Sequence, residues 1–483
     1  MAIAFPQEMS LNDQPAQTFA LSTGGLVCTS RGDLVVVPLS RLVGVTRTGA
    51  RLNLVSYDLD QVQKGGCCCW PKSASTSNAR ARNVDVLDCG SDSVATEWER
   101  QVWDLLLPPS RRNRKHTHER HFLVFLNPNS GVGDSHHIYN QHCAMTFQDA
   151  GIKTTILITD RAGHASEYCE SNADIPNLDG IVVVSGDGMM FECLQGLMKR
   201  PDWAAVMQTV ALGIIPAGSG NGLAHSVAHL AGGMMGSPLV NAVLIAKGNK
   251  SPLDICMIDH ASRGRLYSFL SLEYGIACEV DIGSEYMRSL GEVRFTLQVL
   301  KLLVNPHSTR VKLSYLPATS SPKLDSYWDC GGSIDPQGPQ SLLPADSESE
   351  WEIIEDSVYL MWNCNVAWMS SSAHVAPTSR ANDGHHQICL YRKQPLRDRA
   401  RIDMAKFFIA LENGSHVEMP RLEMFPTRAY CIEPIPPAPG KHQTMVAVDG
   451  EEVPLERMRF EILPGLATIM GLPTPPSSAY GLV

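Results

Sequence analysis

The sequence predicts an α/β nucleotide-binding domain on a parallel sheet, followed by a mostly antiparallel β domain and preceded by a small N-terminal β-rich module. Two observations carry this expectation. Residues 122–250 alternate apolar runs with glycine-rich loops and helical patterns: "FLVFLNPNSG", "KTTILITD", "GIVVVSGDG" and "ALGIIPAGSGNG". Such alternation marks strand–helix–strand units, whose crossovers require parallel strands. From residue 251 onward strand-like segments dominate, among them "LYSFLSLEYGIAC", "RVKLSYLP", "VYLMWNCNVAW" and "TMVAVDGEEVP".

Taken in order, residues 1–107 hold strand-like "GDLVVVPL" and "ARLNLVSYDL", closed by the helical pattern "SVATEWERQVWDLLL". With Trp98 and Trp103 on that helix, the region resembles a pleckstrin-homology-like module. Residues 108–121, "PPSRRNRKHTHERH", read as a proline-broken basic linker. The α/β domain spans 122–250 and the β domain 251–470, the latter with helices predicted near 288–303 and 398–411. Inside the β domain, residues 318–350 are rich in Ser, Pro, Gly, Asp and Glu. They read as a disordered, solvated insert.

Composition excludes several classes. The 483 residues suffice for two to four domains. A net charge of -10 carries no nucleic-acid signature. The 14 cysteines follow no regular spacing, and "MAIAFPQEMS" lacks the features of a secretory leader. A reducing, cytoplasmic location is the expectation. No apolar run approaches the roughly 18 residues of a membrane-spanning helix. Cys67, Cys68 and Cys69, beside Trp70, read as loop thiols; reversible S-acylation is the functional alternative.

Three glycine-rich turns follow three strands: "NPNSGVG" (127–133), "SGDG" (185–188) and "AGSGNG" (217–222). In open α/β sheets ligands bind beyond the carboxyl ends of the strands. Glycines let the backbone approach phosphates, and helix N-termini offer free N–H groups to anions. Three such turns in one domain point to a nucleotide site. The P-loop pattern GxxxxGK[ST] is absent, as is the HRD…DFG set of protein kinases. Asp187 would repel a phosphate unless it takes a proton from the acceptor or works with a metal, which suggests a general base. The competing reading is an N-cap of the following helix.

Three longer blocks carry a resemblance. "NPNSG", "SGDGMMFECLQGLMKRPDW" and "LGIIPAGSGNGLAHSV" resemble the diacylglycerol-kinase-type catalytic domain, and the Ser185 variant with "GLMKRPDW" is most similar to the sphingosine kinases. "EYGIACEVDIGSEYMRSLGEVRF" and "VAVDGEE" match later blocks of that family, in its order. The resemblance implies an ATP- and Mg²⁺-dependent kinase that phosphorylates the primary hydroxyl of sphingosine and related sphingoid bases. It implies Asp187 as catalytic base, with Ser185, Gly186 and Gly188 shaping its turn at the substrate. It places Asn127, Pro128 and Asn129 in the first nucleotide loop. Thr159, Asp160, Arg161, Ala162 and Gly163 fall in the second, and Gly218, Ser219 and Gly220 in the third. Glu192 falls near the nucleotide and its Mg²⁺, and Asp281 at the substrate headgroup. Arg288 and Arg294 would face the phosphates, and Asp449, Gly450 and Glu451 would contact the nucleotide. Peripheral membrane association follows from the substrate, and a homodimer is compatible with the family.

The sequence departs from the family where the first loop usually carries a basic residue: Asn129 and Val132 stand there, and Asp134 adds negative charge. Weaker ATP binding is expected. A carboxylate at Asp281 favours a cationic amine over the neutral groups of ceramide or diacylglycerol, the rival substrates. A catalytically weak lipid-binding scaffold is the rival of another class. Leu290, Val293, Leu297, Leu300 and Val304 form one helical stripe, expected to line the pocket for the lipid tail.

Overall fold

The computed structural model describes residues 3–4, 10–11, 14–15, 18–22, 25–30, 33–59, 81–107, 119–131, 133–290, 293–320, 326–328, 342–344, 350–393, 400–436 and 444–472. Cys67–Cys69 lie outside them.

The N-terminal module holds two small antiparallel sheets. One is built on Leu42–Thr48, Arg51–Tyr57 and Arg82–Asp88 and is covered by the helix Asp92–Leu106. Ser91 starts that helix, its Oγ accepting from the Val94 N–H at 3.4 Å. Ala95, Trp98 and Val102 recur at helical spacing and bury against Leu42, Leu52, Leu54 and Leu87. Asp149 of the next domain ties the module down. It accepts two bonds from Arg82, both 2.7 Å, and one from the Tyr57 hydroxyl at 2.8 Å.

In the α/β domain, strands β1 (Arg120–Leu126), β2 (Ile152–Ile158), β3 (Gly180–Ser185) and β4 (Ala211–Pro216) pair in parallel, in the order β2-β1-β3-β4. β3 and β4 are buried throughout, and their apolar runs are unbroken because both faces are covered, whereas the edge strand β2 carries Lys153, Thr154 and Thr155 and is largely exposed. Helices α1 (His164–Ser171) and α2 (Asp187–Met198) pack on the face carrying Leu123, Phe125, Ile181 and Val183. The helical stretch 135–149 and helix α4 (Pro238–Lys247) pack on the other, against Phe122, Val124, Val182 and Val184. Helix α3 (Gly222–Leu230) follows β4. The first strand begins at Arg120, inside the expected linker. Arg120 is buried and donates to the Ala246 carbonyl at 2.5 Å.

The β domain comprises β5 (Lys250–His260), β6 (Gly264–Ser268), β7 (Ser271–Gly275), β8 (Thr309–Pro317), β9 (Glu352–Cys364), β10 (His386–Arg392), β11 (Leu422–Ile435), β12 (Val446–Val448), β13 (Glu451–Val453) and β14 (Met458–Met470). Helices α5 (Ile276–Asp281), α6 (Val293–Val304) and α7 (Ala400–Ala410) accompany it, the last two near the predicted positions. Its strand pairs are antiparallel, as expected, but its sheet is not separate. β14 pairs in parallel with β4 at Leu212↔Ile469 and antiparallel with β5 and β11. One continuous sheet therefore crosses the boundary placed at residue 250.

The insert 318–350 departs from the solvated expectation where it is described. Trp328 and Leu342 are buried with Trp351 against Ala429 and Cys431. The Trp328 indole donates to the Leu342 carbonyl at 2.9 Å, and Glu461 holds Ser326 and the Tyr327 N–H. Averaged composition hides such isolated apolar anchors.

Candidate active site

The strand order places the site. β1 lies between β2 and β3, so the chain leaves β1 toward one face of the sheet and leaves β3 toward the other. The crevice between those exits is the topological switch point, where α/β sheets bind ligands. Loops 127–133 and 185–188 flank it, and loop 217–222 closes it. The three are tied together. Ser185 Oγ donates to Ser130 Oγ at 2.9 Å, and the Asp187 N–H bonds the Gly220 carbonyl at 3.2 Å. Asn221 clamps its own loop, accepting from the Gly218 N–H at 3.0 Å and donating to the Gly218 carbonyl at 2.7 Å. The glycines permit this approach: a Cβ on Gly218 would stand 2.4 Å from the Gly186 Cα, and one on Gly186 would stand 2.6 Å from the Gly220 carbonyl oxygen.

Asp187 is buried at the first turn of α2, whose cap residue is Gly186. Its carboxylate does not cap its own helix. It reaches across to the N-terminus of α3, accepting from the Gly222 N–H at 2.6 Å and the Leu223 N–H at 3.2 Å. Burial pushes its pKa up to about 7, against the pull of those two N–H groups. A carboxylate held in one orientation and poised near neutrality suits proton abstraction.

The expected headgroup residue and one expected phosphate residue are brought together instead of apart. Arg294 on α6 is buried, and its Nη2 donates to Asp281 Oδ1 at 2.8 Å. Beside them Glu273 on β7 is also buried. Burial and the Asp281 charge push its pKa well above the carboxylate range, and Arg294 opposes this. Arg288 lies on the helical turn Ile282–Leu290, and its side chain lies outside the description.

The remaining expected residues divide. Asn127 and Asn129 line the crevice, but Pro128 does not. The 159–163 loop sits beside the first loop, the Thr159 N–H bonding the Leu126 carbonyl at 2.9 Å, yet it does not reach the cavity. Thr159 is buried, Asp160 and Ala162 are exposed, Arg161 pairs with Glu167, and Gly163 adopts a left-handed turn. Glu192 lines the cavity with its Oε2 buried and unbonded. The Asp449 carboxylate, expected at the nucleotide, is engaged elsewhere. It accepts from Ser268 Oγ and from the N–H groups of Phe269, Leu270 and Ser271, at 2.6–3.0 Å. It anchors the entry to β7 and lines the cavity together with Gly450 and Glu451.

These groups surround a cavity of about 570 Å³. One end is the glycine loops with Ser219 and Gly220. The other is apolar, formed by residues such as Val280, Phe295, Val299, Leu303, Trp362 and Phe408. The predicted tail stripe is corrected here. Leu290, Val293, Leu297, Leu300 and Val304 are exposed, and of these only Leu300 reaches the cavity. The opposite face of α6, which buries Arg294 and Gln298, carries Phe295, Val299 and Leu303 inward. A stripe can be placed by helical periodicity, but not the side from which the pocket is approached.

Two family patterns match: the diacylglycerol kinase catalytic domain over residues 121–258, and the YegS C-terminal NAD kinase beta sandwich-like domain over 347–471. Sphingosine kinase 1 of Arabidopsis thaliana is 28% identical over 379 residues, covering 77% of this chain and 74% of that protein. Sphingosine kinase 1 of Homo sapiens is 32% identical over 368 residues, covering 74% of this chain and 92% of the human protein. The chain belongs to the sphingosine kinase family. Among solved structures, a diacylglycerol kinase from Bacillus anthracis str. Sterne aligns with a TM-score of 0.45 at 19% identity, over 73% of this chain and 97% of that one.

For this sphingosine kinase family member, sequence reasoning missed three residues. Ser130 and Asn221 fasten the loops, and only their place in glycine-rich turns hinted at it. Glu273 stood in plain view as the lone charge of "SLEYG", inside an otherwise apolar strand. A charge there requires a ligand or a partner.

Proposed function

We propose that the chain transfers the γ-phosphoryl group of ATP to the primary hydroxyl of a sphingoid base, giving a sphingoid base 1-phosphate. The observation that carries this is the cavity itself. Its loop end holds Asp187 at a switch-point crevice, its far end is apolar, and its lining carries eight carboxylates against one basic residue, Arg294, among the described residues. So acidic a lining favours a cationic amine on the lipid over a neutral amide or ester. The relatives named above bear the sphingosine kinase name.

The chemistry then falls to known groups. Asp187 orients the lipid hydroxyl and takes its proton as the hydroxyl attacks in line. Backbone N–H groups of the three loops and the N-terminus of α2 hold phosphate oxygens. Mg²⁺, when bound with ATP, neutralises charge on the transferring group. Glu192 fits such an ion, since its Oε2 is buried and unbonded on the nucleotide side, and Glu451 lies close by against Gly188. With Asn129 in the first loop, no lysine or arginine of that loop is at hand for the phosphates.

Peripheral membrane association belongs to the same reading. The exposed row Tyr286, Leu290, Val293, Leu297 and Val304 flanks the cavity, beside exposed Ile409 on α7. No helix among the described residues is long and apolar enough to cross a membrane. The described cysteines are free thiols, which suits the cytoplasmic location proposed for it. The test is a side-by-side assay of sphingosine, dihydrosphingosine, ceramide and diacylglycerol with purified chain and ATP. Sphingoid bases should be the better substrates; a preference for ceramide or diacylglycerol would refute the assignment.

A further inference from the structure

We infer that Glu273 is a substrate-specificity residue: its carboxylate supplies the negative charge that balances the lipid's ammonium. The inference rests on the sphingoid-base reading and identifies which group carries it out. Strand alternation places Glu273 on the cavity side of β7. Its neighbours Leu272 and Tyr274 point into the core of the β domain, while Glu273 lines the cavity opposite Trp362 of β9. Glu273 is 5% exposed, and its Oε2 has no hydrogen bond. The Trp362 indole lies beside it, and its hydrogen bond favours the ionised form.

Charge counting decides the role. Asp281 and Arg294 form an ion pair, so together they present no net charge to an arriving cation. An ammonium entering beside that pair gains no net counter-charge from it, and Glu273 is the buried carboxyl next to the pair that can supply one. With Glu273 ionised, four groups sum to zero: two carboxylates, one guanidinium and one ammonium. Buried charges persist only when so paired.

The groups facing Glu273 set its proton balance. Asp281 on α5 and Asp449 on the β12–β13 turn disfavour its ionisation, Arg294 on α6 favours it, and the Cys278 and Cys364 thiols lie close by. An ammonium bound beside it favours the ionised form, as Arg294 does.

The test compares sphingosine with an octadecane-1,3-diol, a single-chain alcohol lacking the amine, in mixed micelles with the full chain. Glu273→Gln should raise the KM for sphingosine about 10- to 100-fold, the range of a charge-assisted bond. The KM for the diol should move less than about threefold, and the KM for ATP should not move. Glu273→Asp should recover most of the loss. Equal losses on both lipids, or none on sphingosine, would overturn the inference. If Glu273→Gln does not fold, Glu273→Met, uncharged and of similar length, takes its place in the same two-lipid comparison, and equal losses on both lipids would overturn the inference. A wild type that ignores sphingosine yet phosphorylates diacylglycerol would refute the function itself, a distinct outcome.

Discussion

Arg294 donates to Asp281 twice, from Nη2 to the carboxylate at 2.8 Å and from Nη1 to the main-chain carbonyl at 3.2 Å. The guanidinium side chain is 3% exposed and the carboxylate 26%. The two residues expected to serve different substrates are therefore one unit, and changing either disturbs both.

Asp281→Asn should accordingly raise the KM for ATP as well as for sphingosine. It leaves a buried guanidinium short of its counter-charge, at a cost of about 1–3 kcal/mol in stability. Denaturant unfolding together with the two KM values checks this. An unchanged ATP KM and an unchanged midpoint would show that the pair is not coupled in solution.

The Asp187 carboxyl sets a pH limb. Its pKa lies near 7 because burial outweighs two backbone hydrogen bonds. A base must be ionised, so activity is present above that pKa and lost below it. With both substrates saturating, kcat should fall about tenfold per pH unit on the acid side, with a midpoint at or below pH 7, since a bound ammonium lowers it further. A kcat level down to pH 5 would contradict the assignment.

The loop glycines make unequal demands. A Cβ on Gly218 meets the Gly186 backbone at 2.4 Å, whereas one on Gly188 meets only the tip of the Glu451 side chain at 2.8 Å. Gly218→Ala should abolish ATP binding by parting the loops, because backbone cannot yield cheaply. Gly188→Ala should fold normally and bind ATP within about tenfold of wild type, because a flexible tip can turn away. Calorimetric titration of nucleotide onto both variants separates the two outcomes, and equal behaviour would contradict the packing argument.

The exposed row on α6 offers a fourth test. Leu297 and Val304 lie outside the cavity and are exposed. Changing both to glutamine should reduce partition onto phospholipid vesicles about tenfold or more, as apolar burial in the interface is lost. Turnover of detergent-dispersed sphingosine should remain. Unaltered vesicle binding would remove this face from the membrane account.

Much of this was legible in the sequence, for identifiable reasons. Parallel strands buried on both faces read as unbroken apolar runs, and glycine turns mark where backbones meet. Asp187 followed from its place between two such glycines. What stayed hidden depends on tertiary contact. The Asp187 carboxylate crosses to a helix that begins 35 residues later, and Asp449 anchors a turn about 180 residues earlier. β14 joins both sheets although it comes last in the chain. The α6 stripe was identified as apolar but assigned to the wrong side, because periodicity has no knowledge of where the cavity lies.

The central claim is that Asp187 takes the proton from a sphingoid-base hydroxyl, and single-turnover phosphoryl transfer to sphingosine by Asp187→Asn tests it most directly. Asparagine keeps one acceptor for the α3 N–H groups but cannot serve as the base. With ATP affinity within a few-fold of wild type, the transfer rate should fall by roughly 10²-fold or more. Transfer at near the wild-type rate would contradict the account and leave Asp187 as the structural cap of α3.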